Sequence, residues 1–214
     1  MKRVILLRHG KTPGNEEKRY IGRTDESLSE QTRKEIEEKR EQICRTYGLT
    51  EKTQFVLSPM KRCEETLKLL FPQGVCLVTI KDMLKECDFG DFEGKNYKEL
   101  ANDVTYQAWI DSGGTMDFPN GEKIADFKSR CGDAFLQVME ERTEDKSEKK
   151  GKKEAENDIC FFVHGGTIMA IAERFALPKR EYFSYQISNL EALIFAWDEK
   201  QKVLKSATKD GSEA

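Results

Sequence analysis

A chain of 214 residues can bury one substantial core, and because no Pro-, Gly- or Ser-rich linker interrupts it, a single domain over residues 1–214 is expected. Hydrophobic residues make up 37% and charged residues 35%, with a formal net charge of −3, which gives no reason to expect nucleic acid as a partner. No apolar run approaches the length of a membrane span, and Met1-Lys2-Arg3 with four apolar residues after it is too short for a signal peptide, so a cytoplasmic protein with no membrane partner is expected.

In chain order, Val4-Ile5-Leu6-Leu7 reads as a buried strand of a parallel sheet that ends abruptly in Arg8-His9-Gly10. Ligands of such sheets bind beyond the carboxyl ends of the strands, which places Arg8 and His9 at the mouth of the crevice. Pro13-Gly14-Asn15 is expected to open an irregular loop that runs to Leu28. Ser29 can cap a helix with Ile36, Ile43 and Tyr47 at helical spacing on a charged surface. Residues 54–57 form a second strand, and Ser58-Pro59 introduces a helix with a proline suited to its first turn and Met60, Cys63, Leu67 and Leu70 along one side. A third strand is expected over 75–78, a loop rich in acid and glycine over 81–94, and a helix over 97–110. After Gly113-Gly114 and Phe118-Pro119-Asn120-Gly121, an amphipathic helix spans about 122–141.

The segment 140–156 holds thirteen charged residues among seventeen and no large apolar one, as in a solvated helix extension or a mobile loop. Ile159-Cys160-Phe161-Phe162-Val163 then repeats the opening arrangement, running into His164-Gly165-Gly166 and a helix-like stretch. These are the only two histidines in the chain, and both stand at a strand end before glycine. A break at Leu177-Pro178-Lys179 precedes a final strand within 190–197, and the tail 205–214 is expected to fray. Strands alternating with helices imply right-handed crossovers and an α/β fold, a three-layer α/β/α sandwich with a mostly parallel central sheet. The six cysteines, Cys44, Cys63, Cys76, Cys87, Cys131 and Cys160, form no Cys-x-x-Cys pair or Cys/His cluster. Free thiols are therefore expected, with no metal and no other cofactor, and Cys63 is read as packing.

With Arg8-His9-Gly10 after its first strand, the sequence resembles the histidine phosphatase superfamily, also called the phosphoglycerate mutase-like family, from Val4 to about Trp197. Ser58-Pro59-x-x-Arg62-x-x-x-Thr66 is similar to that family's segment after the second strand. Leu84-x-Glu86-x-x-x-Gly90-x-Phe92-Glu93-Gly94 is similar to its stretch carrying the proton donor. A phosphate monoester needs planar cationic donors for its oxygens, an in-line nucleophile, and an acid for the leaving oxygen. Arginine's fork suits the first task, so Arg8 and Arg62 are the candidates.

The resemblance implies the remaining roles. His9 would take the phosphoryl group, its other ring nitrogen held by a carbonyl or similar acceptor. His164 would donate to the phosphoryl oxygens, with the backbone at Gly165 close by, and Asn15 would lie near the phosphate. Glu86 would be the acid, its pKa raised by its site. Two departures from the family pattern stand at Thr32, where glycine is usual, and at Lys123, in a serine position. The resemblance implies a metal-independent phosphatase of a small phosphorylated metabolite, nearest to the small branch that includes α-ribazole phosphatases. The alternatives are a bisphosphoglycerate-dependent phosphoglycerate mutase, against which the absence of arginine between Leu100 and Pro119 counts, and a non-catalytic binding module on the same fold.

Overall fold

The computed structural model describes residues 3–148 and 158–206. The first strand, β1 (Arg3–Arg8), is fully buried over its four apolar residues. Thr12 then caps a helical turn, α1 (Pro13–Glu16): its hydroxyl accepts from the Asn15 amide, and the Asn15 side chain accepts from the Thr12 amide, both at 3.3 Å. The loop expected from Pro13 therefore starts as helix, because this reciprocal cap and proline's fixed φ both favour one. Ser29 caps α2 (Glu30–Tyr47) by accepting from the Thr32 amide at 3.2 Å. β2 (Gln54–Leu57) leads into α3 (Lys61–Leu70), whose cap is Met60, so Pro59 stands before the helix and not in its first turn.

β3 (Leu77–Ile80) lies two residues later than the expected 75–78. Its register against β2, from Gln54 opposite Leu77 to Leu57 opposite Ile80, decides the place, and its position at the sheet edge leaves Leu77, Val78 and Ile80 exposed. α4 (Val104–Asp111) is shorter than the helix expected over 97–110, because Asp103 accepts from the amides of Thr105 and Tyr106 at 2.8 and 3.1 Å and starts the helix there. α5 (Ile124–Glu148) takes up the first part of the charged segment as helix, while residues 149–156 lie outside the described residues.

The wholly buried β4 (Ile159–Val163) runs straight into α6 (Gly165–Phe175), followed by β5 (Ala176–Leu177), β6 (Ala192–Asp198) and β7 (Val203–Ser206). β7 corrects the expected fraying at Lys205 and Ser206: Leu204 is fully buried opposite Trp197 and holds the strand in the sheet. The rest of that tail, 207–214, lies outside the described residues.

The strands form one sheet in the order β3-β2-β4-β1-β6-β7-β5, and only β6 runs against its neighbours. Strand alternation divides the apolar residues between its faces. Val4, Leu6 and Phe161 pack with Phe135 of α5 and Ile168 of α6, while Ile5, Leu7 and Phe162 pack with Ile36 of α2 and Leu67 of α3. Each such fully buried side chain contributes about 1.5–3 kcal/mol, so both helical layers are held by the same strands. This is a three-layer α/β/α sandwich with a mostly parallel sheet.

Candidate active site

Parallel register begins the assembly. Arg8 stands opposite Val163 and Leu57 opposite Phe162, so His9, His164 and Ser58 leave three adjacent strands together at their carboxyl ends. The His9 amide donates to the Val163 carbonyl and the Ser58 amide to that of Phe162, each at 3.1 Å. The two histidine rings lie 5.1 Å apart between centroids. Arg62 joins them from the first turn of α3 and is wholly buried.

Nδ1 of His9 lies 2.6 Å from the Gly10 carbonyl, which can only accept, so Nδ1 carries the proton and Nε2 keeps its lone pair. Burial first, then the guanidinium groups of Arg62 and Arg8, hold the His9 pKa well below 6.5, against the opposing pull of the Gly10 carbonyl. The ring is therefore neutral near pH 7. Asn189 steadies this segment, donating through Nδ2 to the His9 carbonyl at 2.9 Å and to Oδ1 of Asn15 at 3.4 Å.

Three of the five N–H groups of Arg62 are committed within the protein. Nε donates to Nδ1 of His164 at 3.2 Å, Nη1 to the Thr24 carbonyl at 2.8 Å, and Nη2 to the Gly22 carbonyl at 2.9 Å. Because Nδ1 of His164 accepts, its proton sits on Nε2, which donates to the Ser58 hydroxyl at 2.7 Å. Both ring nitrogens of His164 are thus engaged, and burial with Arg62 keeps its pKa well below 6.5. In this arrangement His164 braces Arg62, where the resemblance implied a donor to phosphoryl oxygens. Cys63 Sγ lies 3.8 Å from the same Nε2, and burial pushes its thiol up to about 12, so it stays protonated.

Arg8 donates through Nη1 to the Ile187 carbonyl at 2.8 Å, and its buried Nε has no partner among the described residues. Leaving such a donor unpaired costs about 1–3 kcal/mol, which an arriving anion would relieve. Its guanidinium carbon passes 3.4 Å from where a Cβ on Gly165 would be.

Glu86 accepts from the Cys87 amide at 3.0 Å and from the Gly166 amide, in the first turn of α6, at 2.9 Å. A Cβ on Gly166 would fall 2.4 Å from Oε1, so only glycine lets this carboxyl seat. Burial raises its pKa, and the two amides with Arg62 and Arg8 oppose that rise without cancelling it. Arg130 fixes the segment beneath: paired with both oxygens of Glu122 at 2.6 and 2.7 Å, it donates to the carbonyls of Met83, Lys85 and Glu86 at 2.7, 2.8 and 3.1 Å.

A cleft of about 790 Å³ opens here, lined by Arg8, Asn15, Glu86 and Gly165. Farther out its wall is aromatic, with Tyr20, Phe89, Trp109, Phe118, Tyr182 and Phe183. His9, Arg62 and His164 are buried and do not line it. The structure thus gathers the residues singled out in the sequence, with Asn15 and Gly165 at the cleft. Sequence reasoning gave no role to Ser58, Glu93, Arg130 or Asn189. Ser58 and Glu93 stood inside motif segments, whereas Arg130 and Asn189 carried no local signal. Neither Thr32 nor Lys123 lines the cleft: Thr32 is buried with its methyl 2.7 Å from where a Cβ on Gly10 would be, and Lys123 is exposed. Among the described residues no group of three or more His, Cys, Asp or Glu could hold a metal, and no helix is long and apolar enough to cross a membrane.

The family model described as the histidine phosphatase superfamily (branch 1) matches residues 4–210. Phosphoglycerate mutase-like protein 4 of Arabidopsis thaliana is 25% identical over 175 residues, covering 80% of this chain and 70% of that protein. Of other curated relatives the chain spans 64% or 35% of the length. The solved α-ribazole phosphatase of Shigella flexneri superimposes with a TM-score of 0.74 at 19% identity, over 99% of this chain and 100% of that one. A mycobacterial glucosyl-3-phosphoglycerate phosphatase gives 0.71 at 20% identity, over 96% of each.

Proposed function

From the chain's membership of the histidine phosphatase superfamily, we propose that it hydrolyses phosphate monoesters of small metabolites through a phosphohistidine on His9. The observation that carries this is the His9 ring: Nδ1 is tied to the Gly10 carbonyl, and burial with two guanidinium groups keeps Nε2 unprotonated. A neutral nitrogen beside cations is what attack on a phosphoryl dianion requires.

In the first step the Nε2 lone pair forms a bond to phosphorus as the bond to the ester oxygen breaks, and Glu86 passes its proton to that oxygen. In the second, the Glu86 carboxylate takes a proton from water as the water oxygen attacks phosphorus. The P–N bond then breaks, releasing inorganic phosphate and restoring both groups. Arg8, with its unpaired Nε, and the two uncommitted N–H groups of Arg62 carry the equatorial charge, so the reaction proceeds without a metal. His164 contributes by holding Arg62, and it donates to the phosphoryl group only if the Ser58 bond is exchanged. Asn15 and the backbone at Gly165 border the phosphate.

The cleft volume suits a leaving group larger than glycerate, which favours an α-ribazole phosphatase-like substrate with an extended apolar part. One observation favours a second reading: Lys11 and Lys18 line the cleft without an ion-pair partner among the described residues, as a second anionic group would need. That suits a phosphoglycerate mutase. Phosphate release from p-nitrophenyl phosphate and from a panel of phosphometabolites, in excess chelator, tests the proposal. Hydrolysis by the parent and none by His9→Ala is expected. No hydrolysis of any monoester sinks it, and transfer between glycerate hydroxyls without release replaces it with the mutase.

A further inference from the structure

We propose that Glu93 is a positioning residue for Arg62, acting through the backbone of residues 22–24. One carboxylate oxygen of Glu93, Oε1, accepts from the amides of Gly22 and Thr24 at 2.8 and 2.9 Å. The carbonyls of these same two residues accept from Nη2 and Nη1 of Arg62 at 2.9 and 2.8 Å. A three-residue stretch is therefore gripped on its N–H side by an acid and on its C=O side by the guanidinium whose Nε reaches His164.

The stretch is closely packed on one side. A Cβ on Gly22 would lie 1.8 Å from the Cys87 carbonyl oxygen, so the backbone is already pressed against the segment that carries Glu86. Next to it, the Gly94 amide donates to the Tyr20 carbonyl at 2.8 Å and the Tyr20 amide to the Lys95 carbonyl at 2.9 Å, which fixes Glu93 itself. The plane of Arg62 is set by two carbonyls, and those carbonyls are set by Glu93. Without the acid, two amides lose their acceptor, the stretch shifts, and the guanidinium turns with it. Geometry at this site is sensitive, since a displacement of about 1 Å costs on the order of 10²-fold in rate.

The second oxygen of Glu93 is buried and makes no hydrogen bond among the described residues. An amide in place of the carboxylate therefore keeps the acceptor that matters, and Glu93→Gln is the conservative variant. The kinetic arm of the test rests on the phosphatase reading; the spectroscopic arm does not. In the full chain, Glu93→Ala is expected to lower kcat/KM about 10²-fold and to weaken inhibition by vanadate, while Glu93→Gln stays within a few-fold of the parent. In an Arg62→Lys background Glu93→Ala is expected to add little, because the group it positions is gone. With only two histidines in the chain, ring ¹⁵N spectra give one signal set each. Glu93→Ala should move the His164 resonances and leave those of His9 nearly in place.

If Glu93→Ala does not fold, Glu93→Asp, one methylene too short to reach both amides, replaces it with the same expectations. An equal loss in the parent and Arg62→Lys backgrounds, or an unmoved His164 signal in a folded Glu93→Ala protein, overturns the proposal. Absence of hydrolysis in the parent together with a shifted His164 signal would instead overturn the phosphatase reading and leave Glu93 in its role.

Discussion

His9, Ser58 and His164 follow directly from three adjacent parallel strands, whereas Tyr20, Phe89, Trp109 and Phe118 reach the cleft from a short helix and several loops. The inner end of the site is set by the hydrogen-bond register of the sheet, and its side chains are buried. The outer end is set by side chains leaning on one another, with ring centroids 5.0 Å apart for Phe89 and Phe118 and 5.3 Å for Trp109 and Phe118. A register error at the inner end would send a side chain to the opposite face of the sheet. At the outer end, exchanging one ring reshapes a wall and leaves the backbone where it was. Chemistry should therefore respond to changes inside, and choice of leaving group to changes outside.

The largest effect is expected at Arg62. Arg62→Ala leaves the Gly22 and Thr24 carbonyls and Nδ1 of His164 without their donors, at about 1–3 kcal/mol for each of the two buried ones, Gly22 and His164, so loss of the fold would obscure loss of chemistry. Arg62→Lys keeps the charge and loses the planar fork. It is expected to fold and to lose on the order of 10²–10³-fold in kcat/KM, as when one oxyanion donor is removed. Thermal melting beside steady-state kinetics checks both halves, and an Arg62→Lys protein as active as the parent would dissolve the contrast between inner and outer ends.

Next in size is Glu86→Gln, expected to lower kcat about 10²–10⁴-fold while inhibition by vanadate stays nearly unchanged, because in the proposed mechanism the acid acts on the leaving oxygen. Loss of binding and turnover in equal measure would mean that Glu86 holds the phosphate. The pH dependence separates the partners. The raised pKa of Glu86 means that its proton, and with it the rate, is lost as pH rises through that value. The lowered pKa of His9 means that its free lone pair, and the rate, is lost only as pH falls through a value well under 6.5. Glu86→Gln has no proton to lose, so the alkaline limb of kcat/KM should vanish while the acid limb remains.

The same division explains how much could be read from the residues. Apolar runs ending in His-Gly announced both the central strands and the inner site, because a parallel strand buried on both faces is apolar without interruption. Ser29 and Asn15 announced their caps less evenly. Ser29 was legible as the start of α2, while the pairing of Asn15 with Thr12 hid inside what looked like a loop. β3 was displaced by two residues and β5 and β7 went unseen, since strands of two to four residues carry little periodicity and their place is decided by the neighbours they pair with. Arg130 was invisible for another reason. On the sequence it is one more charge on an amphipathic helix, and only the fold brings the three carbonyls of residues 83–86 to it.

The smallest effect, and the sharpest test of the contrast, is expected at Trp109. Its ring stacks on Tyr106 with centroids 6.2 Å apart and planes 12° apart, leans on Phe118, and borders the cleft. No part of it touches His9, Arg62 or Glu86 through any hydrogen bond. Trp109→Ala removes a wall and no donor from the inner site. It should raise KM for a bulky aromatic monoester about tenfold, in line with 1–3 kcal/mol for one aromatic contact with a flat group, and leave glycerol phosphate and vanadate near their parent values. Equal losses for both esters would mean that the ring supports the inner site through Phe92 and the Glu86 loop, and the division drawn here between register and packing would then fail at the place where the two regions meet.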